Sequence, residues 1–144
     1  MTNVTSTAAA THTVVVEREL PHPPQKIWRA LTESSLLQQW LMRNDFQPFA
    51  GHAFQFRMDP MPGWNGIIDC KVLSVEAPHR LSYTWSSMGL DTVVTFTLQP
   101  TSTGTHLRME QSGFASDKDA NYRGATYGWD SFLTRLESVL DSLV

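Results

Sequence analysis

The feature that most constrains this chain is its last stretch, residues 121–143 of 144. Trp129, Phe132, Leu133, Leu136, Val139, Leu140 and Leu143 recur there at three- and four-residue spacing, which places them along one face of a helix. An apolar stripe of that width has to be covered by another surface. The sequence ahead of it supplies one. Several segments alternate apolar and polar residues, and a strand with that alternation presents one apolar face. A long helix laid across a bent sheet leaves room between the two layers, so the chain reads as a container before it reads as a chemistry.

The remaining segments fall into place around that pair of layers. Residues 13–20 form a strand, with Val14, Val16 and Leu20 on one face and Val15, Glu17 and Glu19 on the other. Pro21-His22-Pro23-Pro24 ends it and opens a short helix bearing Ile27, Trp28 and Leu31, because proline is tolerated in a first turn. Thr32 is expected to cap a second short helix that carries Leu36, Leu37 and Trp40. A series of strands follows. Residues 53–58 point Phe54, Phe56 and Met58 inward, and Pro60-Met61-Pro62-Gly63 is turn chemistry. Residues 67–75 break their alternation at Val72-Leu73, which marks a bulge. Residues 80–86 share a face through Leu81, Tyr83 and Trp85. Residues 91–98 do so through Val94, Phe96 and Leu98, and residues 105–111 through Leu107, Met109 and Gln111. Short turns between consecutive strands predict an antiparallel sheet. Residues 116–119 offer a capping signal for the closing helix. The Thr/Ala/Ser-rich residues 1–12 read as a disordered lead-in without the pattern of a signal peptide. Residues 13–144 read as one α+β domain.

Charge and chemistry narrow the partners. The net charge is −3 and no Lys/Arg-rich run occurs, so neither nucleic acid nor an anionic membrane surface is expected as a partner. No segment has the length and apolarity of a membrane span. The single cysteine, Cys70, forms no internal disulfide and suits a reducing, cytoplasmic location. His12, His22, His52, His79 and His106 are scattered without metal-ligand spacing. There is no nucleophile elbow, Cys70 has no histidine near it in sequence, and Gly63 and Gly66 flank Trp64 in a turn rather than a phosphate loop. No catalytic residue, metal site or cofactor is therefore assigned.

Three polar residues fall on core-facing parity: Arg18, Tyr83 and Gln111. Each has to pair inside the protein or meet a ligand or water, since a buried polar group without a partner is costly. Arg18 is expected to pair with a carboxylate at the sheet end. Tyr83 and Gln111 stay open between lining a pocket and making structural hydrogen bonds. Trp28 is expected to pack helix on sheet, while Trp40 and Trp64 are placed at a pocket mouth. The candidate ligand pocket is thus Trp40, Phe54, Phe56, Met58, Trp64, Tyr83, Trp85, Phe96, Met109, Gln111, Trp129 and Phe132. Asp130, Arg135, Glu137 and Asp141 on the last helix are read as a mostly solvated face.

The order of several short segments also carries a resemblance. These are Arg18, Pro24 to Trp28 running into Ala30-Leu31-Thr32, Leu37 to Trp40, Pro48-Phe49-Ala50-Gly51 leading to Phe54, and Pro62-Gly63-Trp64. Arg80-Leu81-Ser82-Tyr83-Thr84-Trp85, Val94-Thr95-Phe96-Thr97-Leu98, Gly104-Thr105-His106-Leu107, Ser112-Gly113-Phe114 and Gly128-Trp129 complete the set. Together they make residues 14–144 resemble the SRPBCC superfamily, also called START-like or Bet v 1-like, and within it the branch named for the activator of Hsp90 ATPase. The resemblance implies a helix-grip fold, in which a bent antiparallel sheet wraps a long C-terminal helix and two short helices follow the first strand. It implies a cavity between sheet and helix that holds an apolar or aromatic small molecule. Its alternatives are an Hsp90-associated interaction module, with Hsp90 as partner, and a cyclase- or dehydratase-type enzyme acting on an apolar substrate through tyrosines such as Tyr83, Tyr122 or Tyr127. One position departs from the pattern: many members of the branch carry histidine where this chain has Gln111, and glutamine neither donates nor takes up a proton as a general acid or base.

Overall fold

A computed structural model describes residues 12–116 and 120–143. The lead-in expected over residues 1–12 lies outside them apart from His12, and the capping signal at 116–119 lies outside them apart from Ser116. The elements run β1 (His12–Leu20), α1 (Pro24–Thr32), α2 (Ser34–Trp40), β2 (Arg43–Asn44), β3 (Ala53–Arg57), β4 (Ile67–Glu76), β5 (Arg80–Ser87), β6 (Leu90–Pro100), β7 (Thr105–Phe114) and α3 (Ala120–Ser142). The seven strands make one sheet in the order β1-β7-β6-β5-β4-β3-β2, antiparallel throughout. This is the helix-grip architecture: a bent sheet, a long closing helix, and two short helices after the first strand.

Alternation decides which face is buried. Along β5 and β6 the inward residues Leu81, Tyr83, Val94, Phe96 and Leu98 are almost fully excluded from solvent. In β4 the ladder slips between Val72 and Ser74, so Val72 is buried while Leu73 turns out to water. The bulge lets the strand bend around the core without losing its inner face. Aromatic rings then form an unbroken series across the interior. Phe46 meets Phe54 at 5.0 Å, Phe54 meets Phe56 at 5.3 Å, Phe56 meets Trp85 at 5.4 Å and Trp85 meets Trp129 at 5.3 Å between ring centres. Tilted and edge-on pairs of this kind pack more favourably than face-to-face sandwiches. On α3 the buried side chains are Trp129, Leu133, Leu136 and Leu140.

The helix is also held by charge. Arg18 on β1 reaches Asp130 at 2.6 Å and Glu137 at 3.3 Å, so two residues of the mostly solvated face also pair with the inward arginine. His22 faces Asp141 at 3.0 Å further along. Thr32 does not cap α2. Its hydroxyl donates to the Trp28 carbonyl at 2.7 Å, the backward bond that threonine makes inside a helix. Thr32 thereby closes α1, and Glu33 stands at the N-cap of α2 without a capping hydrogen bond from its side chain, which accepts from Arg29 instead.

On the outer face of β1 and β7, His106 lies between Glu17 and Glu19, with Arg108 also near Glu17 at 3.6 Å. Hydrogen bonds that the His106 ring donates to the two carboxylates hold its pKa above the ordinary value, and the bond with His106 holds Glu17 below its own. His106 is thus the centre of a cross-strand charge cluster.

Candidate ligand-binding cleft

The layers are not in contact along their whole length. Beside the N-terminal half of α3 an open cleft of about 320 Å³ enters the interior, near the lower end of the roughly 300–1,000 Å³ typical of small-molecule sites. Its position follows from residue size. Gly124, Gly128, Phe132, Leu136 and Leu140 succeed one another at four-residue steps on α3, so one row of the helix surface passes from no side chain to large ones. Gly124, Ala125 and Gly128 all line the cleft. A Cβ built on Gly124 meets nothing within 4 Å, and one on Gly128 meets only the Phe132 ring, at 3.9 Å.

The opposite wall is aromatic. Trp85, Phe114, Trp129 and Phe132 line it, with Met42, Ile68 and Leu90 filling between them. The outer rim is the loop joining β3 to β4, which brings Met58 and Trp64 to the cleft. That loop is pinned at three points. Met61 and Trp64 exchange backbone hydrogen bonds at 2.9 Å across Pro62-Gly63, the Trp64 indole donates to the Ser87 hydroxyl at 2.8 Å, and Ser87 donates to the Ile67 carbonyl at 2.8 Å. Gly66 closes the loop with φ +79°, and a Cβ there would lie 2.1 Å from the Met58 carbonyl oxygen. Only glycine tolerates both conditions.

Gln111 is the one strongly buried polar residue on the lining, 2% exposed. Its amide oxygen accepts from the Trp129 indole at 2.8 Å and its nitrogen donates to the Thr92 hydroxyl at 2.9 Å. Thr92 in turn donates to the Trp85 carbonyl at 2.8 Å. Gln111 therefore makes structural hydrogen bonds and lines the cleft at once.

Of the twelve residues expected at a pocket, Met58, Trp64, Trp85, Gln111, Trp129 and Phe132 line this cleft. Phe54, Phe56, Tyr83, Phe96 and Met109 sit in the packed core. Trp40 is fully buried, its indole donating to the Ala30 carbonyl at 2.9 Å. The Tyr83 hydroxyl has no hydrogen-bond partner among the described residues, and burial holds its pKa well above the ordinary value. Burial likewise pushes the Cys70 thiol far above its usual range, which leaves it an inert core group. Gly124, Ala125 and Gly128 escaped the sequence reading because a search for an apolar stripe counts large side chains. Their signal was the four-residue spacing of small residues immediately before Trp129.

A larger depression of about 440 Å³ lies on the outer face of β2 and β3 among Arg43, Asn44, Asp45, Gln55 and Arg57. Its polar groups are occupied: Arg43 with Asp59, Arg57 with Gln55, Gln55 with Asp69. The apolar cleft is the better candidate. Among the described residues no three metal-ligating side chains come together, and no helix is long and apolar enough to cross a membrane.

Comparison with known proteins agrees with this architecture. The sequence pattern of the family described as Activator of Hsp90 ATPase homolog 1-like protein matches residues 21–141. A protein of Mesorhizobium loti, known from its crystal structure, is 52% identical over 92% of this chain and 99% of its own, with a TM-score of 0.86. A Bacillus halodurans protein solved in solution is 26% identical over 90% of this chain and 96% of its own, at a TM-score of 0.77. DynU16, from the dynemicin biosynthetic locus, is 25% identical over 90% of this chain and 47% of its own, also at 0.77. No curated protein matches the sequence.

Proposed function

We propose that this chain, which belongs to the Activator of Hsp90 ATPase homolog 1-like family, is a small-molecule-binding domain that takes an apolar or aromatic compound into the cleft beside the N-terminal half of α3. The observation that carries this is the change of residue size along one helix row, which leaves an aromatic-walled opening where the rest of the interface is filled. Apolar walls with a few polar groups, here Gln111 and Asn121, are the usual make-up of such a site. The test is an amide-shift titration of the labelled protein with a panel of apolar and aromatic compounds. Saturable shifts confined to Trp64, Trp85, Gly124, Gly128 and Trp129 are expected. Shifts scattered over the surface, or none across the panel, would refute the proposal.

The family description favours a second role, binding to Hsp90 and altering its ATPase rate. A pull-down and a stimulated-ATPase assay with purified Hsp90 separate the two, and an unchanged rate removes it. A cyclase- or dehydratase-type reaction is less well supported, because it needs a proton carrier at the cleft. Tyr83 lies outside the lining, and Tyr122 spends its hydroxyl on the Thr13 carbonyl at 3.5 Å.

A further inference from the structure

The Gln111 amide is oriented without ambiguity, and that orientation leaves it incomplete. An indole N–H only donates, so the atom facing Trp129 Nε1 is the amide oxygen. The nitrogen therefore faces Thr92 Oγ1, whose own hydrogen goes to the Trp85 carbonyl. A primary amide offers two N–H donors and two acceptor lone pairs. One donor and one lone pair are used. The second N–H has no partner among the described residues, although the side chain is buried and belongs to the cleft lining. Trp129 and Thr92 hold the amide from both ends, so it is unable to rotate toward another partner without breaking an existing bond.

A buried donor of that kind discriminates. A site built to hydrogen-bond a group accepts a molecule that carries it and disfavours the analogue that lacks it, because the analogue leaves the protein's polar group desolvated and unpaired. The surrounding walls are the rings of Trp85, Trp129 and Phe132 and the bare backbone of Gly124 and Gly128, which together suit a flat ring system. We infer that the ligand of the cleft is a compact aromatic molecule bearing a carbonyl-type oxygen, and that Gln111 selects it by donating its free N–H to that oxygen. The inference rests on the ligand-binding role proposed for the cleft. In it Gln111 is a specificity-determining residue, with Thr92 and Trp129 as the residues that position it.

Fluorene and fluorenone provide the test, since they share one tricyclic frame and differ by a methylene in place of a carbonyl. Dissociation constants are measured by calorimetry for the wild type and for Gln111→Met, and the Gln111 side-chain amide protons are followed by NMR in the wild type. Fluorenone is expected to bind about tenfold more tightly than fluorene, the worth of one neutral hydrogen bond. One Gln111 amide proton is expected to move downfield with fluorenone and to stay in place with fluorene. In Gln111→Met the preference of fluorenone over fluorene is expected to fall to about one, read as the ratio of the two constants. If both compounds bind the wild type equally and the amide protons do not move, the carbonyl inference is overturned and the cleft remains a binding site. If neither compound binds, the inference and the cleft fall together. Should Gln111→Met not fold, the amide protons of the wild type decide the matter alone.

Discussion

The two halves of α3 meet the same sheet and do opposite things. The C-terminal half presents Leu133, Leu136 and Leu140, each at most 1% exposed, and is fastened to β1 and the segment after it through Arg18 and His22. The N-terminal half presents Ala120, Gly124, Ala125 and Gly128 and borders open space. The sheet is continuous beneath both. Whether this layered fold is solid or hollow is therefore decided by helix side-chain volume, over about two turns, and not by the topology. Glycine costs a helix roughly 1 kcal/mol relative to alanine, so the hollow half is also the less stable half.

The largest effect that would sharpen this contrast is in the filled half. Leu136→Ala should destabilise the protein by about 2–5 kcal/mol, the usual cost of emptying a packed leucine site, read from denaturant unfolding. A small loss would mean that this half is not densely packed. In the hollow half, Gly124→Leu should do the reverse. Affinity for fluorene should drop by at least about tenfold, while stability rises by up to roughly 1 kcal/mol as a good helix former replaces glycine. Undiminished binding in that variant would break the link between helix volume and the cleft.

Deeper in the filled region, Tyr83→Phe removes a hydroxyl with no partner in its surroundings and should stabilise the fold by about 1 kcal/mol. A loss of stability there would show that the hydroxyl is satisfied. Arg18→Met should cost roughly 0.5–1 kcal/mol, since both of its carboxylate partners are partly solvated. The difference from wild type should shrink as salt is added.

The smallest effect lies outside both halves. The folded pKa of His106 is raised, so its contribution is fully present below the ordinary histidine value and fades as pH rises through the raised one. The lowered Glu17 acts in the opposite direction, its contribution fading as pH falls through its depressed value. The cluster is thus most stabilising in mildly acid solution. His106→Gln should flatten the decline in stability between neutral and mildly alkaline pH, and an unchanged decline would place its origin elsewhere.

Much of the fold could be read from residues because alternation and helical spacing are local. The bulge at Val72-Leu73, the turn at Pro62-Gly63 and the stripe on α3 each needed only a few neighbours in sequence. The cleft was half legible. Parity told that Phe54, Phe56, Tyr83 and Phe96 face inward, as do Trp85 and Trp129, but the first four are packed by neighbours from distant segments and the last two are left with an open side. That distinction depends on what lies opposite, which no single strand reveals. The pairing of Arg18 with a carboxylate was expected on energetic grounds, whereas the identity of Asp130 and Glu137 as its partners required the helix to be in place. Thr32 misled for a related reason. A threonine between two helices serves equally as the end of one or the start of the next, and here the Trp28 carbonyl settles the choice.

The two margins of the sheet have a further consequence. β2, at one margin, is only two residues long, and β1, at the other, carries Glu17, Arg18 and Glu19 in succession. A strand from another molecule needs a long, level row of free backbone groups to add to, and short or charged margins deny it one. The sheet remains open in topology, yet both margins disfavour the addition of a further strand. Within the described residues, the margins of the ladder thus offer a second molecule a two-residue strand on one side and a strand with a charged second half on the other.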